Sequence, residues 1–75
     1  MRNEIIETLK QYLKGNIAKH KTNIDIYLNQ SVGIGEHSDI IETLEKELDG
    51  MASYDDKLEM LNKYFTNDTT EILKD

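Results

Sequence analysis

Apolar side chains recur every three or four residues over two long stretches, and the chain between those stretches carries its clearest turn signal. In the first stretch Ile6, Leu9, Leu13, Ile17, His20, Ile24 and Tyr27 or Leu28 follow these steps. That is the stripe of an amphipathic helix, in which about 3.6 residues complete each turn. Ile5 and Tyr12 widen the stripe at its beginning, and Gly15-Asn16 is a weak point, since a glycine inside a helix costs about 1 kcal/mol relative to alanine. Between 22 and 29 a strand is the rival, because Ile24, Ile26 and Leu28 alternate with Asn23, Asp25 and Tyr27. Helix is preferred, because a single strand would find no partner in this chain.

The second stretch repeats the pattern with Ile41, Leu44, Leu48, Met51, Leu58 and Phe65, and Tyr54 and Leu61 take over where Asp55 and Asn62 interrupt it. Such a handover is the drift of a straight helix against a strict seven-residue repeat. Ser38 is placed to cap this helix, with Asp39 in the first turn where a negative charge suits the helix dipole. Gly50, followed by a capping-box pattern at Ser53-Tyr-Asp-Asp56, is a candidate break. Met51 and Ala52 nevertheless keep the stripe continuous, so one helix is expected. The tail from Thr66 is polar. Asp68 and Glu71 are spaced to cap a short turn holding Ile72 and Leu73, so 66–75 reads as a frayed end or a small third helix.

Ser31-Val-Gly-Ile-Gly-Glu-His-Ser-Asp39 separates the two runs, with Gly33 and Gly35 supplying backbone freedom for a turn. The expected fold is therefore all-α: one domain over 1–75, with helix 1 at about 2–30, a turn at 31–37 closed by Ser38, helix 2 at about 38–65 and a tail at 66–75. Folded antiparallel, facing residues have numbers that sum to about 67–68. Leu28 then meets Ile40, Ile24 meets Leu44, His20 meets Leu48, Ile17 meets Met51, Leu13 meets Tyr54, Leu9 meets Leu58, and Ile6 meets Leu61. Gly15 would fall against Ala52, and His20 would pack near Leu48 and reach Glu47.

Length and composition sharpen this picture. A chain of 75 residues with 37% hydrophobic content builds a small core, and chains below roughly 70–80 residues usually lean on a staple or on association. Cysteine is absent, which removes disulfides and thiolate-bound metals and suits a reducing compartment. Ile5, Tyr12, Ile26, Ile40, Met60 and Tyr64 are apolar residues that the layers do not fully use. They are the interface candidates for pairing two hairpins into a dimeric four-helix bundle.

Net charge is −6, divided between +2 for residues 1–30 and −8 for residues 31–75. Such a field gives no footing for direct nucleic-acid binding, which needs clustered Lys and Arg. No apolar run of about 18 residues or more is present, so no membrane span is expected, and the amphipathic start does not resemble a signal peptide. Cytoplasmic residence is the expectation.

Candidate chemistry is sparse. Val32-Gly-Ile-Gly35 resembles a phosphate-binding loop only in its glycines: the Lys-Ser/Thr pair of a Walker loop is missing, and Glu36 and Asp39 would repel phosphate. His37 beside Glu36 and Asp39 could hold a metal weakly, whereas His20 stands about ten residues, roughly 15 Å, from the turn. Glu42, Glu45, Asp49, Asp56 and Glu59 form a stripe, with lysines interspersed, which reads first as a solvated face. A catalytic carboxylate pair needs unequal, partly buried surroundings that two helices do not supply. No catalytic, cofactor-binding or metal-ligating residue is assigned, and no enzyme is expected.

The run Asn23-Ile-Asp-Ile-Tyr-Leu-Asn-Gln-Ser-Val-Gly-Ile-Gly-Glu-His-Ser-Asp-Ile-Ile41, with Glu45-Lys-Glu-Leu-Asp49 and Tyr54-Asp-Asp-Lys-Leu-Glu-Met-Leu-Asn-Lys-Tyr-Phe65, resembles a group of short uncharacterised proteins encoded by tailed marine phages, notably cyanophages of the myovirus type. The likeness covers roughly residues 8–65. It departs from the group at Ser38, where proline is common, and serine caps as well. The resemblance implies a phage protein made in a bacterial cytoplasm and carries over no functional residue. The expectation is a non-enzymatic, acidic protein-interaction or accessory protein that acts on a host or phage protein. A virion structural or assembly component, and an acidic nucleic-acid mimic that inhibits a host protein, are the alternatives.

Overall fold

The computed structural model of the chain describes residues 1–29 and 39–66. Within them run two helices, α1 (Arg2–Asn29) and α2 (Ile40–Tyr64), packed against each other as a hairpin without strands among the described residues. Gly33, Gly35 and Ser38, and the short turn expected around Ile72 and Leu73, lie outside the described residues.

The seam between the helices has coiled-coil spacing. The seam positions Ile6, Lys10, Leu13, Ile17, His20, Ile24 and Tyr27 on α1, all buried or half-buried, advance by alternating steps of four and three, as do Ile40, Leu44, Glu47, Met51, Tyr54, Leu58 and Leu61 on α2. Alternating steps average 3.5 residues, about one helical turn, so every step returns a side chain to the partner helix. Among the described residues Ile6, Leu13 and Leu61, 4–7% exposed, are the buried core, with Tyr54 and Leu58 packed against it. Each fully buried aliphatic side chain contributes about 1.5–3 kcal/mol.

Several positions shift relative to the sequence reading. Leu9, Leu28, Ile41, Leu48 and Phe65, expected on the facing stripe, are 41%, 64%, 70%, 55% and 56% exposed, while Ile40 and Glu47, their neighbours on α2, take seam positions. The apolar count alone favoured leucine over lysine and glutamate. Geometry instead admits Lys10 and Glu47, because a long or partnered polar side chain can bury its stem. The close approach expected between Gly15 and Ala52 falls elsewhere. A Cβ on Gly15 would meet nothing within 4 Å, whereas one on Gly50 would lie 2.5 Å from His20 Nε2.

Helix ends follow local chemistry. Asp39 occupies the N-cap position of α2 without a side-chain capping bond, and its carbonyl accepts from Thr43 N–H at 2.8 Å. α2 continues through Gly50, as the unbroken stripe implied, and α1 continues through 22–29, where a strand was the rival. At the open end of the hairpin the Arg2 guanidinium donates to the Thr66 carbonyl at 2.9 Å, which ties the start of α1 to the end of α2. The Phe65 N–H closes α2 on Leu61 O at 2.9 Å.

Candidate functional site: an apolar groove and a polar seam cluster

Two features stand out along the hairpin. The first is an apolar groove of about 760 Å³ at the open end, lined by Arg2, Ile5, Ile6, Leu9 and Leu13 from α1 and by Asp56, Lys57, Met60, Leu61 and Phe65 around α2. A shallower hollow of about 570 Å³ continues round α1 past Met1, Glu4, Thr8 and Tyr12, sharing Ile5 and Leu9 with it. At about 100° per residue, Ile5, Leu9 and Tyr12 project to the same side of the seam as Met60 and Tyr64. Leu28, Ile41 and Leu48 project to the other side, nearer the turn.

The groove follows from a second sequence rhythm. Arg2, Leu9, Asn16 and Asn23 stand seven residues apart on the flank of α1, and the flank changes from apolar to polar at Asn16. The groove therefore ends about halfway along α1, with Ile26 a lone exposed apolar residue beyond it on the same flank. Asn16 and Asn23 are half-buried there, and Asn16 donates to the Tyr12 carbonyl at 2.9 Å.

The second feature is a polar cluster in the middle of the seam. The His20 Nδ1–H donates to Glu47 Oε1 at 2.8 Å, and Asn23 Nδ2 donates to the same oxygen at 3.0 Å. His20 stacks on Tyr54 with centroids 5.9 Å apart, and Tyr54 meets Tyr12 edge-to-face at 6.3 Å. The hydrogen bond from His20, then that from Asn23, holds the Glu47 carboxyl below its ordinary value of 4.5. Lys19 adds a weaker attraction. A hydrogen bond with Tyr12 raises the Tyr54 phenol above its ordinary value. Lys57 sits 4.7 Å over the Tyr54 ring.

The His20–Glu47 contact was legible from the hairpin register, and the part played by Asn23 and Gly50 was missed. Asn23 lies three residues after His20 and so shares its face, and both have numbers that sum with 47 to 67–70. That signal was present. Ile5, Tyr12, Met60 and Tyr64 are exposed at the open end, Ile26 is exposed further along α1, and Ile40 is half-buried on the seam. The carboxylates Glu42, Glu45, Asp49, Asp56 and Glu59 are all exposed. Glu36 and His37 lie outside the described residues, and among the described residues no group of three or more His, Cys, Asp or Glu is placed to hold a metal ion. No described helix is long and apolar enough to cross a membrane.

Groove and seam cluster together define a helical hairpin with an apolar groove at its open end. Comparison of the chain with protein-family models, curated proteins and solved structures yields no match in any of the three.

Proposed function

We propose that this chain works by binding rather than by catalysis, as a small protein-interaction module whose docking surface is the apolar groove at the open end of the hairpin. The observation that carries this reading is the imbalance between core and surface. Only Ile6, Leu13 and Leu61 are buried hydrophobic residues among those described, while Ile5, Leu9, Tyr12, Met60, Tyr64 and Phe65 are 41–60% exposed at one end. Contiguous exposed apolar surface of this kind marks an interaction site. The phage resemblance is consistent with an accessory protein of a host or phage partner, and the same groove would serve a subunit of a virion assembly.

Catalysis finds less support, since the seam cluster is closed on itself: Glu47 is occupied by His20 and Asn23. The acidic face of α2 is a weaker docking candidate, because Lys46, Lys57 and Lys63 interrupt it. The test is a pair of full-length variants. Leu9→Glu with Met60→Glu is expected to abolish the complexes that the tagged chain forms in extracts of its producing cell. Glu45→Gln with Asp49→Asn and Glu59→Gln is expected to leave those complexes intact. The reverse pattern would replace the groove with the acidic face.

A further inference from the structure

We infer that the occupant of the open-end groove is a second copy of this chain, related to the first by a twofold axis passing close to Leu9 and Met60, so that four helices form a bundle. The inference rests on the groove being the docking surface and adds what docks there.

Surface area is the first argument. The chain exposes 5818 Å², whereas a compact monomer of its 8.7 kDa mass exposes about 4,700 Å². The surplus of about 1,100 Å² exceeds the roughly 800 Å² that each partner contributes to a standard interface. It arises from the shape, a rod of 56 × 16 × 15 Å. Pairing two rods side by side is the direct way to remove it.

Periodicity is the second. A helix in a two-helix pair needs one apolar stripe, and a helix that touches two neighbours in a bundle needs a second beside it. Ile5, Leu9 and Tyr12 form that second stripe at steps of four and three, each one residue before a seam position. Its spacing matches the seam's own, so the expected neighbour is another helix of the same rhythm.

Charge is the third. A chain of net charge −6 repels its copy over most of its surface, yet the groove is edged by the cations Arg2 and Lys57 and the single anion Asp56. A twofold interface brings a patch against itself. This patch carries both signs, with Lys57 beside Asp56, so it lacks the uniform negative charge that opposes pairing elsewhere.

Leu9 and Met60 lie near the middle of the groove on their respective helices, so each would stand close to its own counterpart across the axis. The chain has no native cysteine, which allows a direct test in the full-length protein. Under mild oxidation the Met60→Cys chain is expected to form a disulfide-linked dimer, which requires Cα atoms roughly 4.4–6.8 Å apart. Glu45→Cys, on the outer face of α2, is expected to remain unlinked. Sedimentation should give the native chain twice its 8.7 kDa mass, and Leu9→Glu should weaken the dimer at least about tenfold. If Leu9→Glu loses helicity together with mass, cross-linking of the Met60→Cys chain decides. A native chain that stays a helical monomer at millimolar concentration would overturn the second copy and assign the groove to residues 67–75 or to a different protein, leaving the docking reading in place. A dimer that persists in Leu9→Glu, with Met60→Cys unlinked, would overturn the second copy as the groove's occupant and place the dimer contact on another face.

Discussion

Gly15 and Gly50 both stand inside helices, yet only one of them is there because nothing larger fits. At Gly15 a Cβ meets open space, so Gly15→Ala should stabilise the chain by about 0.5–1 kcal/mol, read as a higher urea midpoint. At Gly50 a Cβ would lie 2.5 Å from His20 Nε2 and 2.6 Å from Cε1, so the ring must swing away and leave both Glu47 and the Tyr54 stack. Gly50→Ala should therefore be neutral or destabilising alone and stabilising by about 1 kcal/mol in a His20→Ala background. A gain from Gly50→Ala in the native chain would mean that His20 is not held where the structure places it. The same cluster sets a pH dependence. Because the folded state holds Glu47 below 4.5, its contribution is full above the ordinary carboxyl value and is lost as pH falls through the lowered folded value. Urea midpoints measured from neutral pH downwards should fall more in the native chain than in Glu47→Gln.

At the scale of the helices, the alternation of four and three in the seam decides which residues bear the load. Leu13, 4% exposed, should cost about 2–5 kcal/mol on replacement by alanine, enough to unfold a hairpin this small. Leu28→Ala and Ile41→Ala, at 64% and 70% exposure, should change stability by no more than about 0.5 kcal/mol. The two helices, their antiparallel pairing and its register were legible because Ile6, Leu13, Ile17 and Ile24 face Leu61, Tyr54, Met51 and Leu44 without competition from polar residues. What was not legible was the choice between adjacent apolar residues. Ile40 and Ile41 are chemically identical, and Glu47 beside Leu48 argues by hydropathy for the wrong one. Only the partner across the seam, His20 with Asn23, resolves that choice. The groove was partly legible in the unused residues Ile5, Tyr12, Met60 and Tyr64. Leu9 was assigned to the seam instead, because the step from Ile6 to Leu9 is as regular as the step to Lys10.

The whole molecule is a rod with a three-residue buried core among its described residues, a stacked polar cluster along its seam, and an apolar groove at its open end. The polar cluster favours one register: a half-buried polar group satisfied by one partner penalises slipped alignments. In the proposed pairing the apolar face would couple folding to association, because the surface that the hairpin leaves uncovered is what a second helical layer would cover. Molar mass and helical circular dichroism, followed together as the native chain is diluted, test this coupling most directly. The account predicts a mass near twice 8.7 kDa at high concentration, with helicity falling as the mass falls. A chain that keeps its full helicity as a monomer of 8.7 kDa at every concentration would contradict it.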